Sequence, residues 1–166
     1  MTALVAALVV FVPMVLEAVV SARHDRALRA GGAVEPPGDV YRAMQLAYPA
    51  AFLALIAEGA WRAADLDTVA AAGAAVFLVA KALKYWAIAS LGTRWTFRVL
   101  VPPGSPRTSR GPYRWIAHPN YIAVALELTG VALAMHARAS GPIAGVFFGL
   151  LMFRRVQIEE KALTGR

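Results

Sequence analysis

Two short polar segments in an otherwise apolar chain carry most of the residues that could do chemistry. The first, residues 110–121, contains Tyr113, His118 and Tyr121 and enters an apolar run at Pro119, a residue type that suits the first turn of a helix. Hydroxyl and imidazole groups at a helix N-terminus favour anionic ligand groups. The same side chains could instead form an interfacial cap whose aromatic rings anchor the helix at the membrane surface.

The second polar segment, residues 154–160, lies near the C-terminus. Arg155 and Glu159 are four positions apart, so on a helix they share a face and could form an ordinary ion pair. Glu160 argues against that simple interpretation, because two adjacent carboxylates at a membrane edge repel each other unless a cationic or hydroxyl ligand uses them. The segment is therefore a candidate ligand site.

Glu127 lies inside the apolar run that follows the first segment. A carboxylate within a membrane span costs about 2.5 kcal/mol or more, which favours a functional use. Its spacing of seven residues from Asn120 places both on one helix face. Glu17 also lies inside an apolar run, the first one, and is a second candidate for a functional carboxylate. It could instead pair with a lysine of the third run.

Composition predicts a membrane protein of one domain. The 166 residues are 59% hydrophobic, well above the roughly 45–50% apolar content of soluble domains, so lipid must cover part of the surface. The net charge of +7 comes from residues between apolar runs, with no continuous basic stripe of the kind that binds nucleic acid. There is no cysteine and only three histidines, so we expect neither disulfides nor a metal site.

The apolar runs predict an all-α membrane bundle with five transmembrane helices. We place the spans at residues 3–20, 41–61, 68–91, 119–136 and 142–153, and the last helix should continue to Leu163 because twelve residues are too short to cross the hydrocarbon. Asp39 could cap the second helix. Residues 1–91 would form a three-span scaffold and residues 92–166 the half that binds a ligand, within a single domain covering 1–166.

Charge placement predicts the orientation. With the N-terminus outside and five spans, fifteen of the seventeen lysines and arginines fall on or near one side, which the positive-inside rule assigns to the cytoplasm. Lys81 and Lys84 are included, since they could snorkel toward head groups. The C-terminus and both polar segments would then face the cytoplasm from the cell inner membrane.

A family resemblance rests on both polar segments together. The sequence Arg110-Gly-Pro-Tyr-Arg-x-x-x-His-Pro-Asn-Tyr121, followed by Arg155-x-x-x-Glu159-Glu160, resembles the isoprenylcysteine carboxyl methyltransferase family of integral membrane enzymes. The segments Leu91-Gly-Thr-Arg-Trp-Thr and Pro103-Gly-Ser-Pro106 are also similar to its bacterial members. The likeness covers roughly residues 91–163. Many members have arginine where Ala117 precedes His118, so part of the charge complement differs.

The resemblance implies that S-adenosylmethionine is held on the cytoplasmic side by the last two helices, while a lipophilic acceptor arrives from the bilayer. It implies five cofactor-binding residues and Arg155 as a residue that orders the site; the five are Tyr113, His118, Tyr121, Glu159 and Glu160. A hydroxyl acceptor would need a base, for which buried Glu127 is the candidate, whereas a carboxylate acceptor would need none.

These observations predict an S-adenosylmethionine-dependent O-methyltransferase that acts on a lipophilic small molecule. The acceptor could be a prenylcysteine-like carboxylate or the hydroxyl of a long-chain polyketide pyrone or phenol. A phospholipid N-methyltransferase is one alternative, and a non-catalytic membrane subunit is another. Membrane lipid is the expected surrounding partner, and the sequence predicts no oligomeric state.

Overall fold

Five α-helices account for most of the chain in the computed structural model, which describes residues 2–102 and 108–164. No strand occurs in those two ranges; Val34 and Val101 form an isolated antiparallel bridge. The all-α prediction is therefore confirmed, while Pro103-Gly-Ser-Pro106 lies outside the described residues. The helices are α1 (Thr2–Ala30), α2 (Tyr41–Trp61), α3 (Thr68–Leu91), α4 (Pro119–Ala134) and α5 (Ser140–Thr164).

Four of the helices, α1, α2, α3 and α5, are long and apolar enough to cross a membrane. α5 runs without a break from Ser140 to Thr164, so the predicted continuation of the last helix is confirmed. α4 has only 16 residues, about 24 Å at 1.5 Å per residue, less than the roughly 30 Å of hydrocarbon. The count of five full spans therefore remains a prediction.

The helices alternate in direction, which brings both polar segments to one end of the bundle, called here the motif end. At this end the Ser21 hydroxyl of α1 accepts a hydrogen bond from the Phe97 N–H at 2.7 Å. Arg155 of α5 donates to the carbonyl of the same Phe97. At the opposite end, the Glu58 carboxylate of α2 accepts from the Ser140 N–H at 2.7 Å.

Glycines let α3 and α4 pack with their backbones almost in contact. A Cβ added to Gly130 would lie 2.7 Å from the Phe77 nitrogen and 2.8 Å from the Gly73 oxygen. Small residues allow this approach between helices in lipid, where packing drives helix association. The contact fixes α4 against α3, and with it the position of His118 at the start of α4.

Four charged side chains, called here the buried quartet, join α1, α3 and α4. Lys81 Nζ lies 2.8 Å from Glu17 and 3.2 Å from Glu127, while Lys84 Nζ lies 2.7 Å and 3.2 Å from the same two carboxylates. The two lysines therefore do not snorkel, because each finds two carboxylates within the bundle. The interpretation that Glu17 pairs with a lysine of the third span is confirmed.

Replacing Gly130 with alanine tests the close packing of α3 and α4. Gly130→Ala should destabilise the protein by about 1–3 kcal/mol, because the added methyl group meets rigid backbone atoms. Gly145→Ala in α5 is the matched control, since a Cβ there has nothing within 4 Å and alanine favours helix. Thermal unfolding in detergent should give a lower midpoint for the first variant alone; equal midpoints would contradict the packing.

Candidate active site

A cavity of about 1300 Å³ opens at the motif end and extends into the bundle. Its deeper wall is mostly apolar and includes Phe11, Met14, Val15, Val124 and Phe148. Its outer part carries polar groups from both segments that the sequence singled out, namely Tyr113, His118, Tyr121, Arg155 and Glu159. One cavity therefore joins a polar surface to an apolar one.

His118 links the two polar segments. It is the residue that precedes α4, and its ring stacks on Tyr121 with centroids 5.4 Å apart. Its Nε2 atom lies 2.9 Å from Glu160 Oε1, and its Nδ1 atom lies 3.7 Å from Glu159 Oε2. The side chain therefore turns toward α5 and does not simply face water at the head of its own helix.

Arg155 holds three separate parts of the chain together from a buried position, with only 5% of its surface exposed. Its Nε donates to the Tyr121 hydroxyl at 3.0 Å, and that hydroxyl donates to Glu159 Oε2 at 2.7 Å. A second guanidinium nitrogen donates to the Phe97 carbonyl. The guanidinium therefore connects α5 to α4 and to the segment after α3. The four-residue spacing in the sequence predicted only a possible surface ion pair with Glu159.

Asp39 completes the surroundings of Arg155 and was not expected there. The prediction that Asp39 caps α2 is wrong, because Val40 precedes the helix without a side-chain cap bond. The Asp39 carboxylate instead accepts from the Val99 N–H at 3.2 Å and lies 3.5 Å from Arg155 Nη1. A buried guanidinium needs such a counter-charge, but nothing in the local sequence connects residue 39 with residue 155.

Tyr113 reaches the cavity from a short 3₁₀ turn, Gly111–Arg114. Burial and the negative charge of Glu159 both raise the pKa of its phenol, so the hydroxyl stays protonated and can donate to a ligand. Gly111 has a positive φ of 56°, and a side chain there would overlap Ser90. The turn can therefore press closely against the end of α3, which positions Tyr113.

Among the polar atoms in the cavity wall that lack a hydrogen-bond partner within the described part of the chain, two belong to uncharged side chains. They are the indole N–H of Trp95, a residue that is 2% exposed, and the Oδ1 atom of Asn120. Unpaired buried donors and acceptors are costly unless a ligand or water satisfies them. A polar ligand fits this wall. Sequence patterns assign no role to Trp95, although it lies in the segment that resembles bacterial family members.

Glu127 stands apart from the other candidate residues. It is 1% exposed, and it pairs with Lys81 and Lys84 and accepts a hydrogen bond from the Tyr48 hydroxyl. Among the described residues that line the cavity are Tyr48 and Lys84, but not Glu127. The base role of Glu127 stays a prediction, and the structure places Tyr48 and Lys84 between this carboxylate and the cavity.

Comparison with known sequences agrees with the geometry. The isoprenylcysteine carboxyl methyltransferase (ICMT) family matches residues 73–165, more than half of the chain. The chain belongs to this family. ICMT proteins are membrane methyltransferases that generally use S-adenosylmethionine, and the apolar helices of this member make it a multi-pass membrane protein.

Two bacterial relatives extend the likeness beyond the family match. Uncharacterized protein YpbQ of Bacillus subtilis is 32% identical over 155 residues, which cover 93% of this chain and 92% of the relative. An uncharacterized protein of Haemophilus influenzae is 25% identical over 146 residues, or 87% and 85% of the two chains. No solved structure matches the chain significantly. Both likenesses therefore extend beyond residues 73–165 into the earlier part of this chain.

Removing the Arg155 charge tests its role in joining the site. Arg155→Gln should destabilise the protein by about 3 kcal/mol or more, because it leaves buried Asp39 without its cation. The neighbouring Arg154 is exposed, so Arg154→Gln should change stability by no more than about 0.5 kcal/mol. Thermal unfolding without ligand compares them, and similar small effects would show that Arg155 is not structurally required.

Proposed function

We propose that this ICMT-family chain uses S-adenosylmethionine to methylate an oxygen atom of a lipophilic small molecule at the cytoplasmic face of the inner membrane. The observation that carries the proposal is the single cavity that joins His118, Tyr121, Arg155 and Glu159 to an apolar wall. A charged, polar methyl donor and an apolar acceptor need such different surfaces within one site.

The polar part of the cavity suits the groups of S-adenosylmethionine, which supplies an electrophilic methyl group when bound. Glu159 lines the cavity, and Glu160 lies beside it against His118 without lining the described cavity. Both can accept hydrogen bonds from the amino group or ribose hydroxyls of S-adenosylmethionine, since a carboxylate keeps free acceptor sites beside the bonds already made. His118 and Arg155 can hold its carboxylate. Tyr113 and the unpaired groups of Trp95 and Asn120 offer further donors and acceptors.

The apolar part of the cavity suits an acceptor that arrives from the bilayer. A prenylcysteine-like carboxylate or the hydroxyl of a long-chain pyrone or phenol would place its chain along residues such as Met14, Val124 and Phe148. Methyl transfer from a sulfonium to an anionic oxygen neutralises opposite charges, so a site shielded from water favours it. A hydroxyl acceptor must first lose its proton, and Glu127 remains the candidate base.

Charge distribution supports the cytoplasmic orientation of the motif end. The buried quartet removes Lys81 and Lys84 from the set of residues that report topology, because their charges are balanced inside the bundle. Most of the remaining lysines and arginines still belong to the motif end, whereas Arg62 and Arg138 belong to the opposite end. The positive-inside rule then directs the cavity mouth toward the cytoplasm.

Binding of S-adenosylmethionine to the purified protein tests the enzyme proposal directly. Calorimetry in detergent should detect binding, and His118→Ala or Glu160→Gln should weaken it about tenfold or more through loss of a charge-assisted contact. Lys161→Gln, at an exposed position next to Glu160, is the control and should retain affinity. Absence of binding would favour a non-catalytic membrane subunit, and methylation of a lipid amine would favour an N-methyltransferase.

Cysteine labelling in intact cells tests the orientation. The chain contains no cysteine, so each introduced thiol reports one position without background. Ser109→Cys near the cavity mouth and Asp65→Cys in the loop between α2 and α3 are both at exposed positions. A membrane-impermeant maleimide should label only the Asp65 variant from outside the inner membrane, and labelling of the Ser109 variant alone would reverse the orientation.

A further inference from the structure

The Tyr48 hydroxyl forms a bridge between the cavity and the buried quartet. Tyr48 lines the cavity, and its hydroxyl donates a hydrogen bond to Glu127 Oε2. Lys84 Nζ lies 3.4 Å from the same hydroxyl oxygen and donates to it. A phenol oxygen has two lone pairs, so Tyr48 can still accept a hydrogen bond from a hydroxyl in the cavity.

The position of Tyr48 suits contact with an acceptor. Tyr48 follows Met44 by four residues on α2, which places it about 6 Å deeper in the bundle at 1.5 Å per residue. Met44 Sδ lies 3.8 Å from Arg155 Nη1, so Tyr48 is about one helical turn below the polar cluster. Its ring packs edge-on against Phe52 and lies 5.3 Å from the Phe148 ring, which holds it at the apolar wall.

We propose that Tyr48 is a catalytic residue that relays a proton from a hydroxyl acceptor to Glu127, an inference that rests on the proposed methyltransferase function. The acceptor hydroxyl gives its proton to the Tyr48 oxygen as Tyr48 gives its own proton to the Glu127 carboxylate. The acceptor oxygen gains a methyl group as the sulfur–carbon bond breaks. Once the product leaves, the proton returns through Tyr48 to water entering the cavity.

The buried quartet provides the charges that such a relay needs. As the protons move, the negative charge is transferred from the Glu127 carboxylate through the Tyr48 hydroxyl to the acceptor oxygen. Lys84 Nζ lies within 3.4 Å of both the Tyr48 oxygen and Glu127 Oε2. Lys84 also pairs with Glu17 at 2.7 Å. Protonation of Glu127 therefore does not leave this ammonium without a carboxylate, which limits the cost of transferring a proton into the bundle.

Tyr48→Phe tests the relay because it removes the hydroxyl and keeps the ring. Turnover should be compared for 4-alkylphenols and their ring-fluorinated analogues, which are more acidic. The variant should lose about 100-fold or more in kcat/KM with the plain phenols, in line with the usual contribution of general base catalysis. With analogues that are already ionised at the assay pH, the loss should fall below about threefold, because no proton needs to be removed.

Binding without the methyl donor gives a second readout. Calorimetry should show that the native protein prefers a 4-alkylphenol to its methyl ether by about tenfold, the worth of one hydrogen bond, and that Tyr48→Phe removes this preference. Tyr85→Phe is the matched control: Tyr85 lies near Glu17 but is half exposed and is absent from the described cavity wall. It should keep both the turnover and the preference.

Three results would overturn the relay. A loss that is equal for all phenols would indicate a structural role for Tyr48, and no loss would remove the hydroxyl from the reaction. Methylation of carboxylates but not of phenols would show that the site needs no base. Since S-adenosylmethionine binding is measured separately, the relay can fail in each of these ways while the proposed O-methyltransferase function stands.

Discussion

Charges inside an apolar bundle must be neutralised by charges from other helices, and this requirement shapes the structure. Glu17, Lys81, Lys84 and Glu127 meet from three helices in an arrangement with equal numbers of positive and negative groups. An unpaired charge at this depth would cost several kcal/mol. The pairing therefore limits how α1 can be placed against α3 and α4.

The same requirement acts at Arg155, nearer the motif end. Its guanidinium is balanced by Asp39 and takes further acceptors from Tyr121 and Phe97. These contacts bring α4, α5 and the segments that precede α2 and follow α3 around one cavity. Because both charge systems border that cavity, its polar part and its deeper apolar part are positioned by ion pairs as well as by packing.

The family match and the structure divide the chain differently. The match to the ICMT family covers residues 73–165, which includes every candidate residue of the two polar segments. α1 nevertheless contributes Glu17 to the buried quartet, and α2 contributes Tyr48, which donates to Glu127. The segment between these two helices contributes Asp39, which lies beside Arg155. The division into a three-span scaffold (residues 1–91) and a ligand-binding half (residues 92–166) stays a prediction, although Tyr48 of α2 also lines the cavity.

The sequence by itself determined the helical class, the approximate helix bounds and the two polar segments, because hydrophobic runs, prolines and glycines act locally along the chain. It could list Glu127 as costly in lipid, but the same local rules placed Lys81 and Lys84 at the membrane surface and made Asp39 a cap. Only the tertiary structure decided these partners, since Asp39 and Arg155, or Tyr48 and Glu127, are distant in sequence and meet through helix packing. For the same reason, only the tertiary structure placed Tyr48, not Glu127, at the cavity wall.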